Sequence, residues 1–115
     1  TMSTFVLEPG SAWQTVDVYG ASMDKHVIFE GAYDVRSAYF RMAAGCAIKS
    51  HRHAKWVQVV VLSGEMLVTQ AGEPERRVAP GQCYFVDAGE THSEQALRDT
   101  VVLVTQGEDR PGPLS

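Results

Sequence analysis

The 115-residue chain is 44% hydrophobic and 21% charged, the balance of a soluble globular protein, and residues 1–115 are expected to form a single domain with one core. A formal charge of −4, with Lys and Arg scattered along the sequence, excludes the basic stripe that neutralises phosphates, so nucleic acid is not an expected partner. No apolar run approaches the roughly 20 residues of a membrane span, no basic-then-apolar leader opens the chain, and Cys46 and Cys83 make no disulfide framework, so a cytoplasmic protein without membrane contact is expected.

Taken in order, residues 5–7 and 13–19 are short apolar pieces broken by Pro9-Gly10 and closed by Gly20. Thr15, Val16, Val18 and Tyr19 favour strand, and these N-terminal strands suit pairing with a second copy of the chain. Residues 21–25 read as a polar loop, residues 26–29 as a short strand, and Glu30-Gly31 as its turn. Residues 35–42 read as a strand with Tyr39 and Arg41 on one face. A break at Ala43-Ala44-Gly45 precedes a climb through residues 46–51, and residues 56–63 form a buried strand stopped by Ser63-Gly64. Residues 65–70 follow closely, as a hairpin partner would. Strands at 75–79, 82–86 and 99–105 complete roughly nine, and the Pro-rich residues 107–115 read as a fraying tail. No helical period competes, so the class is all-β, and pattern alone leaves sandwich and barrel both open.

Within this frame His51 and His53 stand two apart, which on an extended strand puts both imidazoles on one face. Gly45 precedes them and Gly64 follows; a third histidine, His92, comes after Gly81 and Gly89. These residues fall at the spacings of two motifs, and residues 45–96 thereby resemble the cupin superfamily. The resemblance implies a small jelly-roll β-barrel, a metal held inside one end by His51, His53 and His92, and a homodimer. The chain departs from the family pattern where a glutamate is due. Counting back from Gly64 its place is Val57; counting forward from His53 it is Gln58. If Val59 and Val61 face inward, Gln58 faces out unless a bulge turns it; a glutamine facing out of a valine run is unusual, so Gln58 is taken as the fourth ligand. Asp87 and Ala96 replace the family's Pro and Asn.

Three neutral imidazoles suit one divalent transition ion, Fe(II), Zn or Ni more than Mn, with open positions for water or substrate. Without a carboxylate the ion keeps its full charge and acts as a strong Lewis acid. Tyr39 and Arg41 are candidates for the cavity wall and an anionic substrate, and Glu94, sharing parity with His92, for a base. Trp56 reads as a core-packing or dimer-contact residue, and His26, which matches no motif, as structural or exposed. The resulting expectation is a metal-dependent, dioxygenase-like enzyme for a small organic acid or carbonyl compound. The alternatives are a metal-dependent isomerase or lyase of a sugar-derived acid and a non-catalytic module that senses a small ligand.

Overall fold

The computed structural model describes residues 3–7 and 12–108. Ten antiparallel strands follow in order: β1 (Gln14–Val18), β2 (Ala21–Ala32), β3 (Val35–Met42), β4 (Ala47–His51), β5 (Val57–Ser63), β6 (Met66–Gln70), β7 (Arg76–Val78), β8 (Cys83–Val86), β9 (His92–Ala96) and β10 (Thr100–Gly107). They form a six-stranded sheet, β1-β2-β3-β10-β5-β8, and a four-stranded sheet, β4-β9-β6-β7. This is the jelly-roll arrangement, with apolar faces turned toward each other. Val61 and Met66, one from each sheet, have no exposed surface, and Val57, Val59, Ile48, Ala96 and Val102 pack in the same core.

Several expectations need correction, among them the turn at Glu30-Gly31, which lies inside β2. Residues 21–25 are not a loop: Ala21 to Lys25 pair with β1 in continuous register, so β2 runs through them. Residues 65–70 do not form a hairpin with β5; β5 pairs with β8 and β10, and β6 with β7 and β9. Gly64 is instead the corner where the chain crosses between sheets. The strand at 92–96 has little β-propensity of its own, and its pairing with both β4 and β6 supplies what Ser93, Glu94 and Gln95 lack. Gly107 is not part of a fraying tail: it closes β10, and the Glu108 carboxylate accepts from the Gly31 amide at 2.9 Å. Residues 109–115 lie outside the described residues. The N-terminal strand pairs with β2 of its own chain and forms one edge of the larger sheet; residues 1–2 and 8–11 of the expected N-terminal pairing region lie outside the described residues.

β2 and β3 are joined by a two-residue turn, Tyr33-Asp34, in which both residues have positive φ (61° and 55°). That geometry favours Asn-Gly, and Tyr33 gains nothing from it, being 89% exposed. Tyr33→Asn is therefore expected to stabilise the protein by about 0.5–1 kcal/mol, seen as a rise in the thermal midpoint of a few degrees. An unchanged or lower midpoint would show that the turn is not strained.

Candidate metal centre

β4 would not aim His51 inward if it stayed regular. Ile48 is buried, so alternation would bury Ser50 and expose His51. Instead Ile48 pairs with Glu94 and His51 with His92, three steps on one strand against two on the other. The extra residue is a bulge at Lys49-Ser50, which turns His51 into the interior. The Lys49 carbonyl can only accept a hydrogen bond, and His51 Nδ1 lies 2.5 Å from it. Nδ1 therefore donates to that carbonyl, and Nε2 points into the site.

His53 sits just beyond β4, and its carbonyl accepts from the Gly89 amide at 2.9 Å. This bond ties the first histidine pair to the turn that delivers His92. On β9, His92 is buried and faces the same interior. Ring centroids lie 4.3 Å apart for His51–His92, 4.9 Å for His51–His53 and 5.4 Å for His53–His92. The candidate ligand nitrogens all fall within 4.8 Å of one another. Three imidazoles this close can hold a divalent transition ion. His92 Nδ1 is buried without a hydrogen-bond partner. Burial lowers the pKa of His53, and the charges of His51, His92 and Arg36 lower it further against an upward pull from Glu94, favouring the neutral form that binds metal.

The other predicted residues divide. Glu94 joins the site: its side chain is 9% exposed, and Oε1 lies 3.2 Å from His92 Nε2 and 3.7 Å from His51 Nε2. Burial pushes its pKa up, but hydrogen bonds from His92 and Tyr84 and the charges of His92 and His51 hold it below the usual value. Burial lowers His92, and the bond and charge of Glu94 reverse that to a net rise. The Tyr84 hydroxyl donates to Glu94 Oε2; burial and the neighbouring carboxylate raise its pKa well above 10.0, so it stays a donor.

Gln58 does not join. It is exposed, because Val57, Val59 and Val61 take the inward positions of β5 without interruption, and Val57 stands at the cavity in its place. Tyr39 and Arg41 also face away. The cavity side of β3 belongs to Arg36, Ala38 and Phe40. Arg41 pairs with Asp24 at 2.7 Å and stacks on Trp13 at 4.7 Å, while the Tyr39 ring contacts His26. Aromatic side chains on both faces of β3 make this parity hard to read. Trp56 stacks on Phe85, away from the histidines.

Tyr84 went unpredicted, and so did Tyr19 and Arg36. Tyr19, in the Tyr19-Gly20 turn between β1 and β2, stacks on His51 with centroids 4.1 Å apart and meets His53 edge-on. Its φ of 49° is a conformation better suited to Asn, so the ring is held there by the site rather than by the turn. Arg36 shared a strand with Arg41, and only parity separates them. The histidines, Glu94 and Gln106 edge an inner cavity of about 70 Å³, otherwise walled by apolar side chains such as Met23, Phe40 and Val59. His53, Phe40, Val104 and Gln106 also border an outer cavity of about 340 Å³ that contains Lys25 and Arg36. A further groove of about 390 Å³ between β6, β7 and β8 reaches none of the histidines.

The sequence matches the cupin-domain family model over residues 38–105. No curated protein matches it. Among solved structures, KdgF from Halomonas sp. superposes with a TM-score of 0.77 at 23% identity, over 94% of this chain and 96% of that one. A predicted oxalate decarboxylase from Thermotoga maritima gives 0.79 at 18% identity, over 94% and 100%. The DMSP lyase DddQ from Ruegeria pomeroyi gives 0.72 at 20% identity, over 84% of this chain and 57% of that one. At these identities the likeness is one of fold.

Proposed function

The chain belongs to the cupin superfamily, and we propose that within it the protein is a metal-dependent, oxygenase-like enzyme acting on a small organic acid. The observation that carries this reading is the shared wall between the triad and a substrate-sized cavity bearing two cations. His53 borders both the inner cavity of the imidazoles and the outer cavity of Lys25 and Arg36. A volume of about 340 Å³ falls at the small end of ligand sites.

Each side chain has a distinct part. Lys25 lies 5.7 Å over the Phe40 ring, and no carboxylate among the described residues forms an ion pair with Lys25 or Arg36. Asp17 and Glu30 line the same cavity, and the Arg36 charge is felt at His53, so an anion seated on Arg36 lies beside the triad. A planar guanidinium matches a carboxylate in two hydrogen bonds. Val18, Phe40 and Val104 give the bound molecule an apolar bed and keep water from the inner end. Tyr19 covers His51. A bound divalent ion supplies Lewis acidity there and, as Fe(II), a redox centre for dioxygen. The two free thiols, Cys46 and Cys83, support a reducing, cytoplasmic setting.

The test is oxygen uptake and product formation by Fe(II)-loaded protein across a panel of small carboxylates and diketones. Turnover without oxygen uptake would move the assignment to a lyase or isomerase. Ligand-induced stabilisation without any turnover would replace the enzyme by a sensing module. With an active carboxylate in hand, Arg36→Met is expected to raise KM about 10–100-fold, the effect of one charge-assisted bond. An equal KM would remove Arg36 from substrate binding.

A further inference from the structure

We propose that Glu94 supplies a fourth, carboxylate ligand to the ion, so that the donor missing from β5 is provided by β9. The inference rests on the metal-binding reading of the triad and goes beyond it, because the family position for a carboxylate is filled here by Val57, whose side chain is apolar and buried. The inner face of β9 meets the same point two residues after His92.

Two of the distances to Glu94 are those found between ligand atoms of one ion. Two ligand atoms each about 2.1 Å from one ion stand about 3.0 Å apart at a right angle and about 3.4 Å apart at a tetrahedral angle. Glu94 Oε1 stands 3.2 Å from His92 Nε2 and 3.7 Å from His51 Nε2. A single oxygen therefore faces two ring nitrogens. His51 Nδ1 is engaged with the Lys49 carbonyl, which turns the Nε2 side of that ring toward Oε1. The second carboxylate oxygen is not spare: it accepts from the Tyr84 hydroxyl, which fixes the rotamer that points Oε1 at the histidines. A ligating carboxylate held by an outer hydroxyl is the usual construction of a built metal site.

Two consequences follow for the chemistry. The site carries one negative charge, which reduces the Lewis acidity expected of three imidazoles alone and admits Mn(II) beside Fe(II), Co(II), Ni(II) and Zn. Glu94 is also withdrawn from the role of free base, because its lone pairs are engaged.

Co(II) is the probe, read by the intensity and position of its d–d absorption and by competition with a chelator. Glu94→Gln is expected to weaken Co(II) binding about 100-fold and to change the absorption. Val57→Glu placed on that background is expected to recover at least ten-fold of the loss, since it restores a carboxylate from the opposite sheet. An outer hydrogen-bonding partner of His92 could weaken binding on removal, but a carboxylate at Val57 would not replace it. Glu94→Gln binding Co(II) within two-fold of the unaltered protein, or an unrescued double variant with an unchanged spectrum, would overturn the assignment. Should Glu94→Gln fail to fold, crystals of the unaltered Co(II)-loaded protein decide: Oε1 within about 2.3 Å of the ion supports it, and Oε1 beyond 3 Å in an ion pair with His92 refutes it. Failure of the unaltered protein to take up Co(II) is a different result, and removes the metal reading itself.

Discussion

Alanine at His53 is expected to lower the affinity for a divalent transition ion by two to three orders of magnitude while leaving the metal-free fold intact. Complete sites bind zinc with about 10–16 kcal/mol shared over four ligands, so one ligand carries about 2.5–4 kcal/mol, or about 10²–10³ in affinity. His53 is half-buried and stands outside the strands. Its structural link to the Gly89 turn runs through its backbone carbonyl, which alanine keeps. His92→Ala is expected to behave differently. It removes a ligand and also deprives the buried Glu94 carboxylate of its 3.2 Å partner. Stranding a buried charge typically costs about 3–5 kcal/mol, so this variant should lose metal and melt well below His53→Ala. Chelator competition and thermal melts of both metal-free variants check the pair. Equal melting of the two, or full metal affinity in either, would break the link drawn here between the triad and Glu94.

Among the described glycines, Gly64 is expected to be the one where a single added methyl does most damage. Gly64 has φ of 84°, and a Cβ there would lie 2.3 Å from Thr100 Oγ1 and 2.4 Å from the Asp99 carbonyl oxygen. Positive φ costs an L-residue about 1–2 kcal/mol, and forced overlap typically adds about 1–3 kcal/mol. Thr100 cannot step aside cheaply. It is fully buried, and its hydroxyl serves Glu65 and the Arg98 carbonyl at the same corner. The sum, about 2–5 kcal/mol, is a large part of a domain's stability and predicts a thermal midpoint lower by about 10–25 °C. A shift under about 3 °C would show that the crossing between sheets is loose.

These two sites also show what the sequence makes legible. The glycine spacings and the histidine triplet belong to local motifs, and both the family and the convergence of His51, His53 and His92 can be read from them. Strand β3 is legible to the residue, because Val35 to Met42 is bounded by turns on both sides. Which face of β3 looks inward is not, since Arg36 and Arg41 are both arginines on a strand with rings on either side. Only the partners decide: Asp24 and Trp13 take Arg41 outward. The Gln58 assignment fails for a related reason. It needed a bulge at Gln58, whereas β5 is irregular further on, at Leu62, and the bulge that serves the site lies in β4, at Lys49-Ser50, where it turns His51 inward. Strand β9 is hidden because Ser93, Glu94 and Gln95 owe their extended form to neighbours on both sides. The Tyr84–Glu94 bond joins strands of different sheets, and nothing local announces such a contact. The parity of Glu94 with His92 was its one sequence signal.

The most direct measurement is the metal content of protein purified without added metal, by elemental analysis, beside a His51→Ala, His53→Ala double variant prepared in the same way. The account predicts close to one divalent transition ion per chain in the unaltered protein and almost none in the double variant. Metal-free unaltered protein that also refuses Fe(II), Co(II), Ni(II), Mn(II) and Zn(II) on titration, or equal metal in both preparations, would contradict it.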